Sequence, residues 1–184
     1  MRFFYEDIHS SSGATKAVVT QYQSDINAKW KGTFSAKTTD GKQSFNVNVD
    51  VNVSLYKGKE KSDPWIIPQA WNPFNRDNFI EVSDNKRSYV SGGDEGEWRS
   101  QGRNKMTLAQ DDPAPHELGH LLGLDDRYTD KNGPNKGWEN NIMADSQNGE
   151  VEQRNIDGIL QDAMNAYDTW NKDKKNAGKT FFYY

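Results

Sequence analysis

The stretch from Pro115 to Asp126 reads Pro-His-Glu-Leu-Gly-His-Leu-Leu-Gly-Leu-Asp-Asp and constrains this chain more than any other segment. His116 and His120 are four residues apart, so on a helix both imidazoles leave one face and can meet a single ion. Leu118, Leu121 and Leu122 fall on the opposite face and bury it. Asp112 and the prolines at 113 and 115 suit the start of that helix, where a missing backbone N–H costs little. Gly123 stands where the helix should stop, because a residue without Cβ takes the left-handed conformation that swings the chain back toward the histidines. Asp126 then offers an oxygen donor, with Asp125 as its adjacent competitor and His9 as the remaining histidine. Zinc accepts imidazole nitrogen and carboxylate oxygen, and in catalytic sites it keeps one position open for water. Glu117 leaves the helix where it can reach such a water rather than the ion. A helix whose histidines merely satisfy polar contacts would need neither the glycine nor the aspartate at these offsets.

Composition narrows what surrounds this segment. A chain of 184 residues fits one domain and is too short for two well-buried cores. With 23 basic and 27 acidic residues the net charge is −4, which argues against a nucleic-acid groove or an anionic membrane surface as partner. Hydrophobic residues make up only 33%, yet six Trp, eight Tyr and eight Phe can bury enough area to exclude a disordered chain. Cysteine is absent, so neither a disulfide framework nor a thiolate metal site can form. No run approaches the roughly 20 apolar residues of a membrane span, and Met1–Asp7 has no apolar leader-like run.

Patterning supplies the scaffold. Arg2–Tyr5 reads as a short aromatic strand, and Ser10–Gly13 as helix-capping and turn residues. Val18, Tyr22, Ile26 and Trp30, with Val19 beside them, mark one face of a helix over Ala14–Trp30. Gly32–Lys37 is a strand, joined through a tight Asp40-Gly41 turn to Phe45–Tyr56. In the second strand Phe45, Val47, Val49, Val51, Val53 and Leu55 alternate with polar residues. Residues 57–78, with three prolines and two tryptophans, form an irregular loop over the core or a cleft. Phe79–Val82 and Ser88–Ser91 are weaker strands, and a glycine- and acid-rich stretch follows the second. A long helix covers Val151–Asn171, and Phe181–Tyr184 ends as an edge strand or packs on the core. Asp130-Lys131-Asn132-Gly133 has the alternating oxygen donors of part of a calcium loop but not its distal glutamate, which favours a solvated turn.

His116-Glu117-x-x-His120-x-x-Gly123-x-x-Asp126 resembles the metzincin clan of zinc metallopeptidases, in the form with aspartate as third ligand that is found in snapalysin-type bacterial peptidases. Asn141-Ile142-Met143-Ala144-Asp145 is similar to the clan's methionine turn. The resemblance implies an α+β fold: a twisted mixed sheet with a long backing helix, an active-site helix, the Met-turn and a C-terminal helix. It implies one metallopeptidase domain over 1–184, with an upper part to about residue 123 and a lower part from about 124. Zinc would be held by His116, His120 and Asp126, with Glu117 as general base for peptide-bond hydrolysis and Met143 beneath the metal. An extended protein or peptide substrate would pair with an edge strand in Phe79–Val90 or Ser91–Arg99, and Asp145–Gly149 would wall the specificity pocket, with Asp145 a candidate substrate-binding residue. Some metzincins carry a transition-state tyrosine two residues after the methionine; that position is Asp145 here, and Tyr128 is the candidate substitute. The expected protein is a monomer, a secreted or delivered domain of a larger bacterial protein such as a toxin, with room for an inhibitor or immunity protein. A cytoplasmic enzyme, a non-catalytic zinc-binding module and an amidase acting on peptidoglycan cross-links are the alternatives.

Overall fold

Two amphipathic helices and a set of alternating strands build the frame that carries the 115–126 segment. This computed structural model describes residues 4–10, 14–55, 78–84, 87–91 and 95–177, with 4–10 and Phe79 described by their backbone alone. The architecture of the described residues is α+β, with three α-helices, a five-stranded sheet and two two-stranded sheets. The main sheet has the order β4 (Val49–Leu55), β1 (Phe4–Ser10), β5 (Asn78–Ser83), β7 (Glu95–Arg99) and β6 (Tyr89–Ser91). Neighbours from β4 to β7 run parallel, and β6 returns antiparallel on the outside, with Tyr89 opposite Glu97 and Ser91 opposite Glu95.

The valine-rich run is two strands rather than one. It divides at Asn48, so that β3 (Ser44–Val47) pairs with β2 (Phe34–Lys37) in a separate hairpin while β4 pairs with β1. The alternation survives the break, with Val47, Val51 and Val53 all buried, because a period of two fixes the face but not the partner. Gly41 turns the hairpin at φ +69°, though the connection spans residues 38–43 and is looser than the tight turn expected. β7 is the strand the sequence hides. Two glutamates mask its period, and Gly96 weakens it locally, yet a Cβ at Gly96 would overlap the Tyr89 carbonyl oxygen of β6.

Helix α1 (Lys16–Trp30) is capped by Thr15, whose hydroxyl accepts the Val18 N–H at 3.3 Å. Of the caps expected at 10–13, Ser10 ends β1, and 11–13 lie outside the described residues. Val19, Tyr22, Ile26 and Trp30 are buried against the sheet and the helix over 114–121. Gln23 covers the open edge of β4, its amide donating to Val51 O at 2.9 Å and accepting from Val53 N at 2.6 Å. Helix α3 (Gln153–Asn171) packs Ile156, Leu160, Ala163, Met164 and Tyr167 into the same core and lies on the β2–β3 hairpin, where Gln153 bonds both backbone groups of Ser35. The loop expected over 57–78 falls, but for Asn78, outside the described residues, as do Tyr56 and Phe181–Tyr184. Among the described residues no helix is long and apolar enough to cross a membrane.

Candidate metal centre

Helix α2 (Ala114–Leu121) lies under β6 and against α1. Pro113 and Pro115 sit at its start, and Asp112 accepts the Ala114 N–H at 2.8 Å. Leu118 is fully buried and Leu121 nearly so, while Leu122 packs partly buried at the core's margin. Trp30 ties the helix to α1, its indole N–H donating to Pro115 O at 2.8 Å. The helix ends as its glycine requires. Gly123 adopts φ +86°, Gly123 N bonds His120 O and Leu124 N bonds Gly119 O, which together form a Schellman motif. The chain therefore doubles back, and Asp126 returns to the face that carries the histidines.

The result is a triangle of donors. His116 Nε2 and His120 Nε2 stand 3.2 Å apart, and Asp126 Oδ1 lies 3.3 Å from each. Donors at zinc's 2.0–2.1 Å on a tetrahedron stand about 3.3–3.4 Å from one another, so these edges suit one small cation with a fourth corner free. Each imidazole is oriented from behind: His116 Nδ1 meets Ile142 O at 2.8 Å and His120 Nδ1 meets Leu124 O at 2.7 Å. A ring that donates from Nδ1 to a carbonyl keeps its Nε2 lone pair for a metal. His116, His120 and Asp126 thus form a group close enough to hold a metal ion. Asp125 is exposed and outside that group, and His9 lies on β1, whose side chains are not described.

Charge within the triangle follows from these contacts. Burial disfavours a charged His116, but hydrogen bonds to Asp126 and to the Ile142 carbonyl outweigh it and raise its pKa. Asp126 is held below the usual carboxylate range, first by its hydrogen bond to His116, although burial opposes this. Glu117 is different. Burial pushes its carboxyl up to about 7, and its Oε2 has no hydrogen-bond partner among the described residues. A buried carboxylate with an unused oxygen beside three donors is the feature most in need of a function; a bound cation would hold it ionised.

The floor of the site is a tight turn. Asn141 O accepts from both Ala144 N and Asp145 N at 2.9 Å, and Met143 is almost wholly buried. A Cβ on Gly119 would overlap the Met143 sulfur, so the glycine inside the motif lets the turn press against α2. The Asn141 side chain accepts from Met143 N at 3.0 Å and exchanges hydrogen bonds with Asn155 of α3. Arg127 N donates to Met143 O at 2.7 Å, fastening the returning loop to the same turn.

Two cavities meet at the donors. One, of about 430 Å³, lies under β6 beside Val90, His120 and Asp125. The other, of about 620 Å³, reaches past Pro113 to Arg99, Arg103 and Ala144–Gln147. His116, Glu117, Tyr128, Arg87 and Ser88 border both. Tyr128 is partly buried, with its ring centroid 6.2 Å from that of His116, and burial raises its phenol pKa. Asp145 borders the larger cavity, but its Oδ1 accepts from Gln147 N and Asn148 N, both at 3.0 Å. The 130–133 segment is the turn of a hairpin between β8 (Tyr128–Thr129) and β9 (Gly133–Pro134), with Gly133 at φ +67°. Sequence reasoning passed over Arg99 and Arg103 at this site; a charged residue next to a buried tryptophan was the only local hint. No family model and no curated protein matches the chain.

Proposed function

We propose that this protein is a zinc-dependent endopeptidase of metzincin type. The observation that carries the reading is the three-donor triangle with a buried, unpartnered Glu117 carboxylate at its side. Further support comes from the glycine-broken helix, from Met143 packed beneath Gly119 as a Met-turn would be, and from an antiparallel edge strand above the cleft. A zinc ion bound by His116, His120 and Asp126 would supply Lewis acidity and a water acidified toward a pKa of roughly 7.

The protein's own groups do the rest. Glu117 takes the water proton and passes it to the leaving amine, which a carboxyl tuned by burial suits. Tyr128, at the junction of both cavities, donates its phenolic hydrogen to the oxyanion developing on the peptide carbonyl. β6 holds an extended substrate by main-chain pairing along its outer edge. A structural zinc site has no need of Glu117, and among the described residues the donor group contains three side chains, which leaves a corner open.

The test is cleavage of an unstructured protein by zinc-loaded enzyme. Glu117→Gln should lower kcat by about 10²–10⁴-fold while zinc content and melting temperature stay as in the native protein. Chelation should abolish activity, and zinc should restore it. Full activity in Glu117→Gln would refute the proposal.

A further inference from the structure

We infer that the larger cavity beside Glu117 is a carboxylate-recognition pocket, which takes an acidic side chain or a chain-terminal carboxylate from the residue next to the scissile bond. The inference rests on the peptidase reading and names its substrate class. Its basis is a surplus of guanidinium donors at the cavity's inner end. Arg99 and Arg103 share one carboxylate, Asp111, which is itself buried. Arg103 grips it side-on, Nε to Oδ2 at 3.0 Å and Nη2 to Oδ1 at 2.9 Å. Arg99 Nη2 lies 3.0 Å from the same Oδ1 and donates to Asp111 O at 2.7 Å. Two guanidiniums carry ten N–H donors and two positive charges, and one aspartate cannot satisfy either number.

Both arginines line the cavity. Arg99 is only 5% exposed, and its Nε has no partner among the described residues. Arg103 is 44% exposed and has both Nη1 hydrogens uncommitted after its grip on Asp111. Arg87 stands at the mouth, exposed, where both cavities meet. Glu117, Asp130 and Asp145 line the same cavity, so recognition here rests on free donors rather than on net charge. Asp145 spends Oδ1 on Gln147 N and Asn148 N and Oδ2 on the Asn148 side chain, and Asp130 lies exposed at the outer rim. A planar fork with free donors, backed by a buried arginine, fits a carboxylate better than an amide or an apolar group.

The experiment compares matched peptides carrying Glu or Gln at the first position on each side of the cleaved bond, with free and amidated C-termini as separate arms. At one of the two positions the zinc-loaded native enzyme should favour Glu by about 10-fold or more in kcat/KM, mainly through KM. A preference that appears only with a free C-terminus would assign the carboxylate to the chain end. Arg103→Gln should erase the preference, and Arg103→Lys should keep part of it. In parallel, Glu117→Gln protein should bind the Glu peptide about 10-fold more tightly than the Gln peptide by fluorescence anisotropy. Cleavage and binding that ignore the carboxylate would overturn this inference and leave the peptidase reading standing. Selective binding without any cleavage by the native enzyme would support the pocket and refute the peptidase. Because the native protein alone decides between these outcomes, a poorly folded Arg103 variant does not blunt the test.

Discussion

The two imidazoles and the carboxylate of the donor triangle reach it from regions built on opposite terms. His116 and His120 stand on a helix that is pinned by Trp30, backed by Met143 and aimed by two carbonyl oxygens. Asp126 stands on the loop beyond Gly123 with its side chain 46% exposed, and its two close partners are the histidines themselves. The first region is held by packing. The second is tied down by one backbone hydrogen bond, from Arg127 N to Met143 O, and by electrostatics at the triangle, so a bound ion would add most to its order.

That contrast can be broken at several points. The largest expected effect is on metal removal, when hydrogen exchange at Asp125–Tyr128 should rise by about an order of magnitude while α2 and Ile142–Ala144 keep their protection. Equal deprotection of both regions would show that the floor, too, depends on the ion. Next comes Gly119→Ala, which forces Met143 out of its place and should cost about 1–3 kcal/mol in chemical denaturation. Gly123→Ala strains a left-handed backbone in open space and should cost about 1–2 kcal/mol, with a larger loss of zinc affinity than Gly119→Ala causes.

The last effect is read as a difference between two pH curves and lies behind the helix. Burial, reinforced by the neighbouring Asp25 carboxyl, raises the Asp112 pKa to about 8, against the hydrogen bond from Ala114 N. A carboxyl raised on folding favours the native state fully below its unfolded pKa and loses that contribution as pH climbs through about 8. The melting temperature of metal-free native protein should therefore fall more between about pH 5 and pH 8.5 than that of Asp112→Asn, which keeps the oxygen cap but cannot ionise. Parallel curves would place the carboxyl in its ordinary range.

Much of the site was legible because it is local. A four-residue spacing, a glycine and an aspartate encode a helical face, a stop and a return, all within twelve residues and governed by backbone stereochemistry. The Ala14–Trp30 and Val151–Asn171 helices were legible for the same reason, each starting two residues later and ending where expected. β7 was legible only as part of an edge candidate over Ser91–Arg99, since its place inside the sheet depends on β5 and β6 lying beside it and its own residues read as polar. The break at Asn48 was hidden because alternation continues through it unchanged.

The sequence by itself determined the kinds of donor, their common face and the point where the helix stops, since each follows from torsion angles within one or two turns. Tertiary structure alone decided that Ile142 and Leu124 aim the two rings and that Arg99 and Arg103 share Asp111. The longest of them, from His116 to Ile142, spans 26 residues. Nothing in a local pattern records which distant groups will be pressed together once apolar surface has been withdrawn from water.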